Sequence, residues 1–249
     1  MVERTDGVMP AASPGGGRRR SLATVVAVGL AAVLGAVVVV AVWPPDDRDP
    51  APQASTPAPA GAGASPGGAV SGCVGGSDPV QAVLAGVQMP ATLDGAAEAA
   101  AAVVRWSESK AFGEPNAGDT ITRIGDSLGS PDLRALQRGQ AAHVARMTST
   151  TARPERGAYA VTPEPLAPTV TVLVPVQWST GAAQHHEWRF VDVRLARQGE
   201  RWAVLDADTT GDVGPELRPL RGAEVRAGDL DRYELTLMAG GFRRYGGDC

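Results

Sequence analysis

The sequence predicts an α+β domain, helices first and then a curved antiparallel sheet onto which they pack. Apolar residues recur at helical spacing between Asp78 and Met147, and after Pro154 the period drops to two. A block of helices followed by a meander of strands folds as helices packed on one sheet. Roughly the first 72 of the 249 residues precede this domain, and the remainder is long enough for one well-buried core.

Asp78-Pro79 opens a short helix carrying Val80, Val83, Leu84 and Val87, which stops before Pro90. Thr92 or Asp94 caps a second helix through about Ala111, with Leu93, Ala97, Ala100, Val104 and Ala111 near one stripe. Gly113 to Gly118 breaks it, and a short helical turn fits between Thr120 and Leu128. Ser130-Pro131-Asp132 is an N-cap followed by proline at the first helical position. It starts a helix whose apolar residues are Leu133, Leu136, Val144 and Met147, interrupted at Gln140.

Ala158 to Leu166 reads as a first strand. Val170, Val172, Val174, Val176 and Trp178 then alternate without a miss, as a strand with one buried face requires. Trp188 and Phe190 begin the next strand, but its apolar phase flips to Val191, Val193 and Leu195, through a bulge or through burial of both faces. Gln198-Gly199 turns the chain into a third strand of the meander, Arg201 to Asp206, with Trp202 and Val204. Beyond Asp208 the chain is loop-like until a final helix over 230–245, weakened by Gly240-Gly241.

Leu22 to Trp43 carries no charged or strongly polar side chain beyond Thr24. As a helix it is about 33 Å long, the thickness of a bilayer core. Arg4, Arg18, Arg19 and Arg20 precede it and only Arg48 follows nearby, which places residues 1–21 in the cytoplasm and the domain outside. A cleaved signal peptide would have a shorter apolar core and a small-residue cleavage site, whereas this run ends in Val42-Trp43-Pro44-Pro45. The expectation is a single-pass protein of the cell membrane. Residues 44–72 hold seven prolines, five glycines and seven alanines, and read as a disordered, extended stalk.

The net charge of −4 argues against direct nucleic-acid binding. Lys110 is the single lysine among 23 basic residues, the bias of a high-GC, actinobacterial genome. Cys73 and Cys249, the two cysteines, flank the domain. In an oxidising exterior they are candidates for a bridge, with two unrelated thiols as the alternative.

No catalytic residue, cofactor site or metal site is assigned. Gly15-Gly16-Gly17 lacks the GK[ST] of a phosphate loop. His185-His186-Glu187 tempts as a metal cluster, but on a strand His186 points away from the other two. Asp206, Asp208 and Asp212 with Gly211 partly resemble a calcium loop, although Thr210 and Leu217 occupy two ligand positions. As an acid/base pair the same aspartates would need a pocket. Trp106, Trp178, Trp188 and Trp202 read as core fillers.

The order of Arg-rich tail, anchor, Pro-rich stalk, Glu98-x7-Trp106 helix, helix 131–147 and meander Val170–Trp178, Trp188–Leu195, Trp202–Asp206 resembles the membrane-anchored nuclear transport factor 2-like (cystatin-like) proteins of bacterial conjugation machines. It is most similar to the TcpC-type conjugal transfer proteins, whose architecture is that of the small inner-membrane scaffold subunit of type IV secretion systems. The resemblance implies a cystatin-like cone and a non-enzymatic scaffold that forms a homo-oligomer and recruits other membrane subunits. Such proteins continue into a second domain, and Tyr233 to Asp248 looks like its opening; either this copy is truncated there or the segment packs back on the first domain. Two other classes share the layout: an accessory subunit of an actinobacterial lipid-import complex, and a cyclase- or isomerase-like cone with a polar residue lining its mouth.

Overall fold

The computed structural model describes residues 69–127, 129–164, 167–210 and 213–249. The expected cytoplasmic tail 1–21, the membrane helix 22–43 and the stalk up to Gly68 lie outside the described residues. No helix among the described residues is long and apolar enough to cross a membrane. The domain is α+β, with five helices preceding an antiparallel sheet.

Helix α1 (Pro79–Gly86) is capped by the Asp78 carboxylate, which accepts from Gln81 N–H at 2.8 Å. Thr92 caps α2 (Leu93–Ser107) by accepting from Gly95 N–H. This helix ends four residues before the expected Ala111. The Ser109 hydroxyl donates to the Trp106 carbonyl at 2.7 Å and Ser109 itself is extended, which closes the last turn. Nor is there one apolar stripe: every residue from Gly95 to Ser107 is buried, because α1 and both ends of the domain cover the sides that the sheet does not. Leu93, expected in the stripe, is 55% exposed. Two short helices follow, α3 (Lys110–Gly113) and α4 (Ala117–Ile124), the latter burying Ile121 and Ile124.

Helix α5 (Pro131–Val144) starts where the Ser130-Pro131 signal puts it. The Ser130 hydroxyl accepts from Leu133 N–H and donates to the Leu205 carbonyl of the sheet, so one buried oxygen both caps the helix and docks it. Ser130→Ala is expected to lower stability by about 1–3 kcal/mol, read as a lower urea midpoint with an unchanged slope.

Among the described residues one sheet runs in the order β5-β4-β3-β2-β6, with β1 also paired to β3. The strands are β1 (Ser149–Ala152), β2 (Ala158–Thr162), β3 (Thr169–Thr180), β4 (Ala183–Gln198), β5 (Arg201–Thr209) and β6 (Arg243–Arg244). β1 and β2 lie end to end along the same edge of β3. The β3–β4 and β4–β5 hairpins close on Gly181 and Gly199, whose φ of 58° and 64° suits residues without a Cβ.

Burial of both faces accounts for the phase flip in β4. Val191, Val193 and Leu195 share the inner face with Val170, Val172, Val174 and Val176, packed on α2. Trp188 and Phe190 share the outer face with Leu173 and pack under Val213, Leu217, Leu220, Leu237 and Phe242. A bulge also exists, but further on: Arg194 faces Asp206 and Leu195 faces Val204, leaving Leu205 as the extra residue of β5.

The segment after Asp208 is therefore part of the folded body and not a tail. The single helix expected over 230–245 is two short ones, α6 (Asp229–Arg232) and α7 (Glu234–Ala239). At Gly240-Gly241 the chain reverses, Gly241 taking φ 78°, and Arg243–Arg244 join β2 as β6. The folded body also begins before the expected stalk boundary at Gly72. Val70 is 6% exposed in the main core, and Ser71 and Gly72 are bonded to α2.

Candidate interaction groove

Helix α2 carries two buried ionisable residues, Glu98 and Arg105, seven apart and so on one face, and both are consumed in holding chain ends. The Glu98 carboxylate accepts from Ser71 N–H, from the Ser71 hydroxyl at 2.8 Å and from Gly72 N–H at 3.0 Å. The Arg105 guanidinium donates to the Gly76 carbonyl at 2.7 Å, to the Gly72 carbonyl at 2.6 Å and to Glu155 at 3.2 Å. Tyr245 reaches the same helix, donating its hydroxyl to the Ala97 carbonyl at 3.1 Å. Cys73 and Cys249 are disulfide-bonded here, with Cα atoms 5.5 Å apart across a sequence separation of 176. Entry and exit segments thus meet on α2.

The inner face of the sheet is apolar toward β5 and polar toward the β3–β4 turn. There Arg189 faces inward beside Val174 and is ion-paired to Glu108, at the end of α2, and to Glu187 at 2.8 Å. Burial raises the Glu108 carboxyl above its ordinary range, while Arg189 opposes that shift. These inward polar residues escaped the sequence pattern, whose visible inward set was Val and Trp. Their polar atoms are engaged with one another, so they form a closed ion-pair cluster.

His185 stacks on Trp178 with ring centroids 4.0 Å apart, and His186, on the opposite face, pairs across the strand with Gln177. Trp106, Trp188 and Trp202 are core, at most 4% exposed. Asp206 and Asp208 lie within β5 on the outer face near Asp192, so they form no loop; Gly211 and Asp212 lie outside the described residues. Burial raises the Asp206 carboxyl, and Asp132 and Asp208 add to the rise, while Ala207 N–H and Arg194 lower it. Among the described residues no group of three His, Cys, Asp or Glu side chains is placed to hold a metal ion. Gly15 to Gly17 lie outside the described residues.

The outer face holds an open groove. The segment 213–242 covers only the part of that face carrying Leu173, Trp188 and Phe190. Its edge is stitched to β4 by Trp188 N–H donating to Ala223 O at 2.9 Å and Val225 N–H donating to His186 O at 3.0 Å. Beyond that edge the outer face is bare, and a groove of about 410 Å³ remains. Thr151, Gln177 and His186 supply its polar floor, and Pro175, Trp188, Val225 and Leu230 its apolar wall. Arg153 and Arg156 stand on one rim with Arg244, and Arg226 on the other. Asp231 is the one carboxylate lining it, paired with Arg244 at 2.8 Å.

One buried carboxylate fixes the second rim. Asp229, 5% exposed, accepts from Trp188 Nε1–H at 2.9 Å and from Arg226 N–H at 2.8 Å. Burial alone would raise its carboxyl, but these bonds and the Arg232 and Arg226 charges outweigh burial and hold it below the usual range. A depressed folded value means that the contribution to stability is complete above the ordinary carboxylate range, near about 3.9, and is lost as pH falls through the folded value. Below about pH 4 the rim is therefore expected to loosen, seen as a change in tryptophan emission. Asp229→Asn is expected to cost about 1–3 kcal/mol and to remove that acid-dependent step.

No protein-family model and no curated protein matches the chain. Among solved structures it is similar to a function-unknown protein from Mycobacterium tuberculosis, at 16% identity and a TM-score of 0.25, over 44% of this chain and 63% of that one. The chain thus spans less than two thirds of that structure's length.

Proposed function

We propose that this chain is a membrane-anchored, non-enzymatic assembly component of a conjugation or secretion apparatus, its domain a cystatin-like cone. It acts through protein–protein contacts, as a homo-oligomer and with other membrane subunits of the complex. The observation that carries the reading is the filling of the inner face. In a ligand-binding cone that face lines the mouth, whereas here Val170, Val172, Val174, Val193 and Leu195 are fully buried under α2. The inward Arg189 is tied to Glu108 and Glu187. An open groove lies on the outer face, which suits surface recognition.

The test is photocrosslinking in intact cells from Gln177 on the groove floor and from the exposed Arg138 on α5. Adducts identified by mass spectrometry as this chain itself and as membrane subunits of a transfer apparatus support the reading. Absence of protein adducts at either position, with a small molecule retained in native mass spectrometry, contradicts it.

A further inference from the structure

We propose that the groove between the β1 side of the sheet and the 225–231 segment docks an acidic peptide segment of a partner protein. This names the partner chemistry for the assembly reading and rests on it.

The argument starts from charge. The chain carries a net charge of −4, yet the groove gathers four guanidiniums against the single carboxylate of Asp231. Arg153 and Arg156 are exposed and have no carboxylate partner among the described residues. Arg226 and Arg244 do have one, but both pairs are exposed: Arg226–Glu224 spans 3.7 Å with side chains 69% and 75% exposed, and Arg244–Asp231 joins side chains 39% and 74% exposed. Exposed pairs of this kind contribute little and exchange readily for an incoming carboxylate.

The distribution of the charges decides which anion. The arginines occupy both rims, separated by the floor, so a compact anion would engage one rim and leave the other unsatisfied. An extended chain with several carboxylates spaced along it can meet both, each guanidinium presenting its planar fork to a carboxylate. The floor fits the same occupant. Thr151, Gln177 and His186 offer side-chain donors and acceptors to a peptide backbone, and Val225 and Leu230 offer an apolar wall to its side chains. Little preparation is needed on the protein side, because the second rim is already fixed through Asp229, Trp188 and the backbone bonds to β4.

The experiment uses the full-length, disulfide-bonded chain in neutral detergent micelles and a fluorescein-labelled dodecapeptide rich in Glu and Asp. Fluorescence anisotropy should show saturable binding that weakens steeply from about 50 to about 200 mM salt. Arg153→Ala with Arg156→Ala should weaken it by roughly tenfold or more, while Arg138→Ala on the far helix leaves it unchanged. All three substituted arginines are solvent-exposed, and unchanged circular dichroism and disulfide content establish that the variants are folded. Binding indifferent to Arg153 and Arg156 overturns the proposal. So does inorganic pyrophosphate binding better than the peptide, which makes the site a phosphate site, or vesicles of anionic phospholipid binding where the peptide does not. The assembly reading fails separately: peptide binding that persists in a protein whose deletion leaves DNA transfer intact keeps the groove and removes that function, and loss of transfer with no peptide binding does the reverse.

Discussion

Reducing the Cys73–Cys249 bond, or replacing both cysteines by serine, should lower the unfolding free energy by about 5 kcal/mol. The bridge joins residues 176 apart, so its removal returns to the unfolded chain the freedom of a loop as long as the whole domain. Cys249 is exposed, so a thiol reductant reaches the bond without prior unfolding. The urea midpoint of the intact protein should therefore fall on adding reductant, and that of the Cys73→Ser, Cys249→Ser variant should not move further. Hydrogen exchange adds a spatial readout. The entry segment 69–76 and the exit segment 245–249 should lose protection first, because Gly246 N–H donates to Val70 O and Gly247 N–H to Ser71 O only while the two ends are held together. A midpoint indifferent to reductant would contradict this account of the bridge.

Arg105→Ala is expected to cost about 3–5 kcal/mol, the range found when one partner of a buried pair is removed. Arg105 is 6% exposed, and its loss strands the Gly72 and Gly76 carbonyls and leaves Glu155, whose side chain is 10% exposed, without its cation. Arg105→Lys should recover only part of the loss, since one ammonium cannot reproduce two nitrogens aimed at three acceptors. Combining Arg105→Ala with Glu155→Gln should be less damaging than the sum of the two, because the unpaired carboxylate is then gone. The same segment is held by the disulfide, so Arg105 and cysteine variants should be strongly non-additive. Chemical denaturation of the wild type and these variants measures all of this; additive effects of Arg105→Ala and Glu155→Gln would show that Arg105 and Glu155 act independently.

Local signals in the sequence were enough for most elements. The Asp78-Pro79 and Ser130-Pro131 caps lie where α1 and α5 start, and the even-numbered valines of β3 alternate because their face packs on α2. The signals failed where burial came from distant chain. Leu173 adds an apolar residue on the other face of β3, and the arrival of Leu217, Leu237 and Phe242 explains it. Those residues sit in short helices and loops with no period to read, so the segment after Asp208 looked like a tail. Val70 was the one sizeable apolar side chain in a Pro/Gly/Ala-rich stretch, and that isolation was the available sign that the domain begins before Cys73. Glu98 and Arg105 on α2 gave a weaker sign: two ionisable residues in an otherwise apolar helix need partners from outside it.

The groove could not have been found along the chain. Arg153, Arg156, Arg226 and Arg244 come from three separate segments and meet only because β6 returns to β2 and the 222–225 segment pairs with β4. In a sequence with 23 basic residues none of the four stands out alone. His185 and Asp206, by contrast, stood out and are placed in a ring stack and a strand. The polar side of the inner face was hidden for the same reason as the outer core. Arg189 sits between Trp188 and Phe190, so alternation puts it on the face of Val191 and Val193, and the register with Val174 identifies that face as the inner one.

The most direct test of the central proposal is the mating frequency of a donor lacking this gene. It is complemented by the intact chain, or by a copy in which residues 1–43 are replaced with a cleavable signal peptide so that the domain is exported without an anchor. The account predicts that transfer collapses on deletion and that only the anchored form restores it. Undiminished transfer from the deletion strain, or full rescue by the unanchored domain, would contradict it.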